Sequence, residues 1–358
     1  MPRMRIIISG GCGFVGFNLT RYLVEAGHQV TVFDNLVRRG SETNVPKLLK
    51  LGVRFIHGDI RNVEDISELP SQADCLIECS AQPSVVSGYA NPVYDFTTNV
   101  AGVINCLEFC RTRSIGMIFL SSSRVYPSNK INSLPVVEKA TRWDWDPSIH
   151  SEPLPRGFDP VNGIGAQFDM DGPTKTIYGA SKAAADFFCQ EYSDAFNLPV
   201  IINRCGVIAG EGQFGVIHQG WLTFWAISCL FERPITYLGY KGKQVRDILF
   251  IRDLCSLIEI QLLKLQELSG RVWNVGGGRR NSLSLVEASA LMERLLGKKM
   301  STNHREEIRK GDMIVYITNN SEITQDLGWS PAVSIEEGAE SIAGWVRDNR
   351  TALEELGL

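Results

Sequence analysis

Tyr178 and Lys182 stand four residues apart in the stretch YGASK. On a helix these positions share one face, and an ammonium beside a phenol stabilises phenolate, giving a base that can take a proton from a hydroxyl group. Upstream, FLSSSRVY (Phe119 to Tyr126) ends an apolar run in three serines, whose hydroxyls both donate and accept hydrogen bonds. Ser122 is the candidate partner of a reacting oxygen, whereas Ser121 and Ser123 are expected to satisfy backbone groups at a strand end. A third group lies in IISGGCGFVG, where Gly10, Gly13 and Gly16 recur at every third residue between an apolar run and a helical pattern. Such a turn brings backbone N–H groups and a helix amino terminus up to a pyrophosphate. Asp34 follows Gly16 by 18 residues, where a carboxylate accepts hydrogen bonds from an adenosine ribose and repels a 2′-phosphate. Arg38 and Arg39 oppose that preference slightly. The cofactor predicted is NAD rather than NADP.

These groups need a scaffold, and the first 125 residues supply its rhythm. Short β-branched runs at Arg5–Ser9, Gln29–Phe33, Arg54–His57, Cys75–Cys79 and Gly116–Leu120 alternate with helical patterns, the mark of parallel βαβ units. Val15, Leu19, Tyr22, Leu23 and Ala26 form the first helical stripe. The spacing predicts a helix over Tyr178–Phe196 and a further strand over Pro199–Arg204. The fold class expected is α/β, a doubly wound parallel sheet (Rossmann) with a smaller mixed α/β carboxy-terminal lobe. Residues 1–205 form the dinucleotide domain, with a long insertion at 127–176 whose Trp143, Trp145, Phe158 and Phe168 suggest a packed flap. Residues 206–358, punctuated by glycine, form the second lobe, interleaved with the first.

Composition narrows the function. With 44% hydrophobic residues, 21% charged residues and a formal net charge of −4, the chain is globular and has no bulk attraction for nucleic acid or anionic lipid. The first apolar run is too short for a secretory signal and no stretch of 18 apolar residues occurs, so a cytoplasmic protein is expected. Nine cysteines are read as reduced and buried, and the five histidines (28, 57, 150, 218, 304) are too scattered for a metal site.

Taken with GDI (Gly58 to Ile60), SAQPS (Ser80 to Ser84), Asn99 and SSSRVY, these motifs resemble the extended short-chain dehydrogenase/reductases that modify nucleotide sugars. The resemblance implies Ser122, Tyr178 and Lys182 as the catalytic set, with Tyr178 the base and Lys182 also on the cofactor ribose. It implies Asp59 and Ile60 against adenine, Ala81 and Gln82 beneath nicotinamide, and Phe14, Val15, Asn35, Arg39 and Asn99 among the remaining cofactor contacts. Dehydratases of this kind carry Thr-Asp-Glu where this chain has Ser122-Ser123-Arg124, so the resemblance points to an epimerase. Departures are Glu78, where many relatives have histidine, and Arg204-Cys205-Gly206-Val207, where 4-epimerases place a sugar-binding asparagine.

HQGWLTFW, GKQVRDILFIRDL, VWNVGGGRRNSLSLVE and LGWSPAVS are similar to the subfamily of CDP-paratose 2-epimerases, also called CDP-tyvelose epimerases. The implied reaction is oxidation and re-reduction at C2 of a CDP-linked dideoxyhexose. The alternatives are a UDP-hexose 4-epimerase and, from another class, a non-catalytic NAD-sensing regulator. Arg246 and Arg309 are the guanidiniums expected on the substrate diphosphate, since planar forked donors suit phosphate oxygens. Arg124, Gln213 and Gln219 are further candidate substrate contacts. Relatives commonly pair through two helices, which suggests a homodimer built on Asn99–Arg113 and Ala180–Phe196.

Overall fold

The structure, a computed structural model, describes residues 3–146, 148 and 153–358, so His150 and part of the 127–176 insertion lie outside the described residues. Two compact units form. The first comprises Met1–Ser122, Ile177–Arg204 and Leu254–Val272; the second comprises Ser123–Thr176, Cys205–Asp253 and Trp273–Leu358.

The first unit is organised by a parallel sheet. Strands β1 (Arg5–Ser9), β2 (Gln29–Asp34), β3 (Arg54–His57), β4 (Cys75–Glu78) and β5 (Gly116–Ser122) are joined by Val200–Cys205 and Val272–Val275. The order is Val272–Val275, Val200–Cys205, β5, β4, β1, β2, β3. Connections leave β1 in both directions, the doubly wound arrangement in which ligands bind beyond the carboxyl ends of the strands. Ile6, Ile7 and Ile8 of β1 are at most 1% exposed, and each such side chain contributes about 1.5–3 kcal/mol by leaving water. Helix α1 (Phe14–Glu25) buries Gly16, Phe17, Leu19, Thr20 and Leu23. Of the stripe that the apolar spacing predicted, Leu19 and Leu23 are buried, Val15 and Tyr22 half-buried and Ala26 exposed, so the buried face is turned toward Phe17 and Thr20. On one face of the sheet, Ile7, Leu76, Met117 and Phe119 form a core with Cys106 and Cys110 of the Gly102–Arg113 helix and Ala185 and Cys189 of the Thr176–Phe196 helix.

In the second unit, Val207–Ala209, Val245–Phe250, Ser282–Ser284 and Val315–Tyr316 make a four-stranded mixed sheet. Its apolar core is shared with the helices Trp221–Leu230, Leu285–Leu296 and Ile335–Asp348. Ser284 with Glu287, and Ser334 with Glu337, close reciprocal capping boxes that fix two helix starts. Residues of the insertion are packed within this unit. Trp145 and Phe158 meet edge to face at 5.1 Å, Tyr126 and Phe168 at 5.7 Å, and the segment's Arg142 and Asp144 tie it to Glu287 and Arg279. Among the described residues no helix is long and apolar enough to cross a membrane, and none of their His, Cys, Asp and Glu side chains cluster in a group that could hold a metal ion.

Candidate active site

The glycine turn joins β1 to α1. Gly10 has φ +66°, and a Cβ there would lie 2.8 Å from the Ser80 nitrogen. A Cβ on Gly16 would lie 2.3 Å from the Gly10 carbonyl oxygen. Side chains are therefore excluded at both positions. Gly13 begins α1 with no side-chain cap, leaving the N–H groups of the first turn for an outside acceptor. Phe14 and Val15, half-buried, follow in that turn. Asp34, at the end of β2, accepts the Cys12 N–H at 2.9 Å and the Leu36 N–H at 2.8 Å. Burial pushes its carboxyl above the usual range, partly offset by these backbone donors. It thus ties the turn to the strand end. This cradle of bare backbone, open helix start and adjacent carboxylate fits the diphosphate and ribose of NAD.

Beside it, Asn35 donates to Asp59 at 2.8 Å, and Arg61 holds the same carboxylate with two bonds of 2.9 and 2.6 Å. Burial raises the Asp59 carboxyl, but Arg61 and Asn35 outweigh it and bring it down to about 2. Ile60 is buried, whereas Arg39 and Ala81 are exposed. Gln82 and Asn99 are brought together reciprocally: the Gln82 N–H donates to Asn99 Oδ1 at 2.9 Å and the Asn99 amide donates to the Gln82 carbonyl at 3.1 Å. A turn of π-helix over Thr97–Ala101 carries Asn99, an irregularity frequent at functional sites.

Tyr178 and Lys182 lie one turn apart on the Thr176–Phe196 helix and are 9% and 2% exposed. The Lys182 ammonium sits 4.1 Å from the Phe119 ring centroid, so β5 positions it directly. Ser122, 8% exposed, is the last residue of that strand. Ser121 has a different partner: its hydroxyl donates to Asp186 at 2.6 Å. Asp186 is also gripped by Arg204, the first residue of the Arg204-Cys205-Gly206-Val207 stretch.

Two acids were not singled out as functional by sequence reasoning. Asp95, fully buried, accepts the Asn99 amide and, at 3.1 Å, the Ser181 hydroxyl next to Lys182. Burial raises its carboxyl, and Ser181, Gln82, Asn99 and the Lys182 charge oppose that. Glu78, fully buried at the end of β4, is raised to about 7 by burial, against the pull of Lys182. The only signal for it was the departure from histidine at that position.

The remaining candidates lie in the second unit. Arg246, 8% exposed, pairs with Asp312. The Asp312 N–H donates to the Arg309 carbonyl at 3.0 Å, and Arg124 donates to the carbonyl of Gly311 at 2.7 Å. Residues 309–312 thus gather Arg124 and Arg246, while Arg309, exposed, helps to lower the His218 imidazole, after the larger effect of its burial. Gln213 is held by Ile208 and Thr223 at 3.2 and 3.0 Å, and Gln219 leaves a buried side-chain oxygen without a hydrogen-bond partner.

Comparison with known proteins places this geometry. Residues 6–148 and 159–276 match the model of the NAD dependent epimerase/dehydratase family. CDP-paratose 2-epimerase of Salmonella typhi is 32% identical over 96% of this chain and 99% of its own length. The dTDP-glucose 4,6-dehydratase of Streptomyces niveus is 25% identical over 99% of this chain and 96% of its own. The structure of Thermus thermophilus UDP-glucose 4-epimerase in complex with NAD superimposes with a TM-score of 0.75 at 25% identity, covering 96% of this chain and 99% of that one. With the glycine turn, the Asp34 carboxylate and the Tyr178–Lys182 pair on a doubly wound sheet, the chain belongs to the NAD-dependent epimerase/dehydratase family and is an enzyme that acts on nucleotide sugars.

Proposed function

We propose that the protein inverts C2 of a CDP-linked dideoxyhexose, converting CDP-paratose to CDP-tyvelose. The observation that carries epimerisation over dehydration is Ser122-Ser123-Arg124, where dehydratases place an acid pair. Arg124 directs its guanidinium to the Gly311 carbonyl and has no proton to give in water elimination. The CDP-sugar and the C2 position rest on the likeness to the Salmonella typhi enzyme over 96% of the chain.

Gly10, Gly13 and Gly16, with Asp34, are the residues that would hold NAD, joined by Phe14, Val15, Asn35, Arg39, Asp59, Ile60, Ala81, Gln82 and Asn99. Bound NAD supplies a hydride acceptor and donor. Tyr178 takes the proton of the substrate hydroxyl and later returns it, Lys182 stabilises the phenolate in the interval, and Ser122 hydrogen-bonds the same oxygen. Arg246 and Arg309, with Gln213 and Gln219 as lesser contacts, bind the nucleotide sugar. A homodimer suits Phe187, Phe188 and Phe196, which the Thr176–Phe196 helix leaves exposed.

The deciding experiment incubates the protein with CDP- and UDP-linked sugars and follows epimer ratios by NMR. Interconversion of CDP-paratose and CDP-tyvelose is expected. Turnover of UDP-glucose alone would replace the reading with a UDP-hexose 4-epimerase.

A further inference from the structure

Glu78 is a fully buried acid that the reaction as described does not use. In strand register it lies between Ser9 of β1 and Phe119 of β5. Register partners in a parallel sheet project to the same face, and Phe119 belongs to the core face covered by the Gly102–Arg113 and Thr176–Phe196 helices. On that face the Ser9 hydroxyl reaches Glu78 Oε1 at 3.5 Å, while Oε2 is buried with no hydrogen-bond partner. The Lys182 ammonium lies over the same Phe119 ring, 4.1 Å from its centroid. The groups that act on the carboxyl are Ser9 and Ser80, Cys106 and Cys189 of the core that holds Phe119, and the Lys182 ammonium. Only Lys182 among them is a cation. Lys182 also feels Asp95 from its other neighbours.

An isolated carboxyl has no reason to occupy an apolar core. We infer that Glu78 is a positioning residue, the counter-charge of Lys182, and that its protonation state sets how strongly the ammonium acts on the Tyr178 phenol. Neutral Glu78 leaves the field of Lys182 undiminished and favours phenolate. Ionised Glu78 cancels part of that field and holds the phenol proton. The carboxyl comes within reach of neutral titration, since burial raises it to about 7 against the attraction of Lys182. The inference rests on the assignment of Tyr178 as the base.

The test is a tyrosinate difference-absorbance titration of NAD-loaded protein, with Tyr178→Phe identifying the Tyr178 component. In Glu78→Gln the Tyr178 midpoint should fall by about one pH unit relative to wild type, and the acid limb of kcat should move with it. Glu78→Asp should return both toward wild type. Glu78→Met is the second neutral variant, chosen to fill the same buried volume with an apolar side chain if the glutamine variant fails to fold. An identical Tyr178 midpoint in wild type and a folded neutral variant overturns the role of Glu78 and leaves Tyr178 as base. Full turnover by Tyr178→Phe overturns the base assignment and this inference with it.

Discussion

Arg204 grips Asp186 through two bonds of 2.9 Å, with both side chains almost wholly out of water. The pair joins the Val200–Cys205 strand to the helix that carries Tyr178 and Lys182, and Ser121 of β5 completes it. Asp186→Ala removes the carboxylate that two guanidinium nitrogens hold in this buried pair and should lower unfolding free energy by about 3–5 kcal/mol. The double change Asp186→Leu with Arg204→Met should cost less than the single one. Denaturant unfolding of the two variants measures this.

Tyr178→Phe keeps the ring and removes the proton-carrying group. Turnover should fall by about a hundred- to ten-thousand-fold. NAD should still bind, because the glycine turn and Asp34 are untouched. Single-turnover kinetics and a fluorescence titration with NAD separate the two quantities.

Gly16→Ala forces a Cβ to within 2.3 Å of the Gly10 carbonyl unless the turn opens. Affinity for NAD should weaken by at least about tenfold, equivalent to 1.4 kcal/mol. Calorimetric titration reads it directly.

Arg246 is partly committed already, since its two terminal nitrogens donate to the Val245 carbonyl and to Asp312. If it binds the substrate diphosphate, Arg246→Ala should raise KM by about tenfold to a hundredfold, with NAD affinity unchanged. Unaltered KM would remove it from the substrate site.

Asp247 is fully buried, and burial lifts its carboxyl from 3.8 to about 6. The folded chain therefore holds this proton more tightly than the unfolded chain does. Its contribution is fully present below 3.8 and is lost as pH rises to about 6, a change of roughly 3 kcal/mol. Asp247→Asn should flatten that part of the stability profile, as thermal unfolding across the interval would show.

Much of the scaffold was legible because its signals are local. Strands at Arg5–Ser9 and Arg54–His57 have the expected bounds, and the helix expected over Tyr178–Phe196 begins two residues earlier, at Thr176. The glycine turn and YGASK also carry their meaning within a few residues. Ser121 was less legible: beyond a general strand-end role, nothing near it in sequence names Asp186, 65 residues away, as its partner. The insertion was read as aromatic and packed, yet its anchor at Glu287 lies 145 residues beyond Arg142.

By itself the sequence determined the period of each element, the bare-backbone turn and the placement of a phenol and an ammonium on one helix face, since each depends on side chains adjacent along the chain. Only the tertiary structure decided what surrounds that ammonium. Sheet register placed Glu78 beside Phe119, and helix docking brought Ser181 to Asp95 across 86 residues. Electrostatic environment is a property of distance in space and of excluded water, and neither can be read from neighbours in the chain.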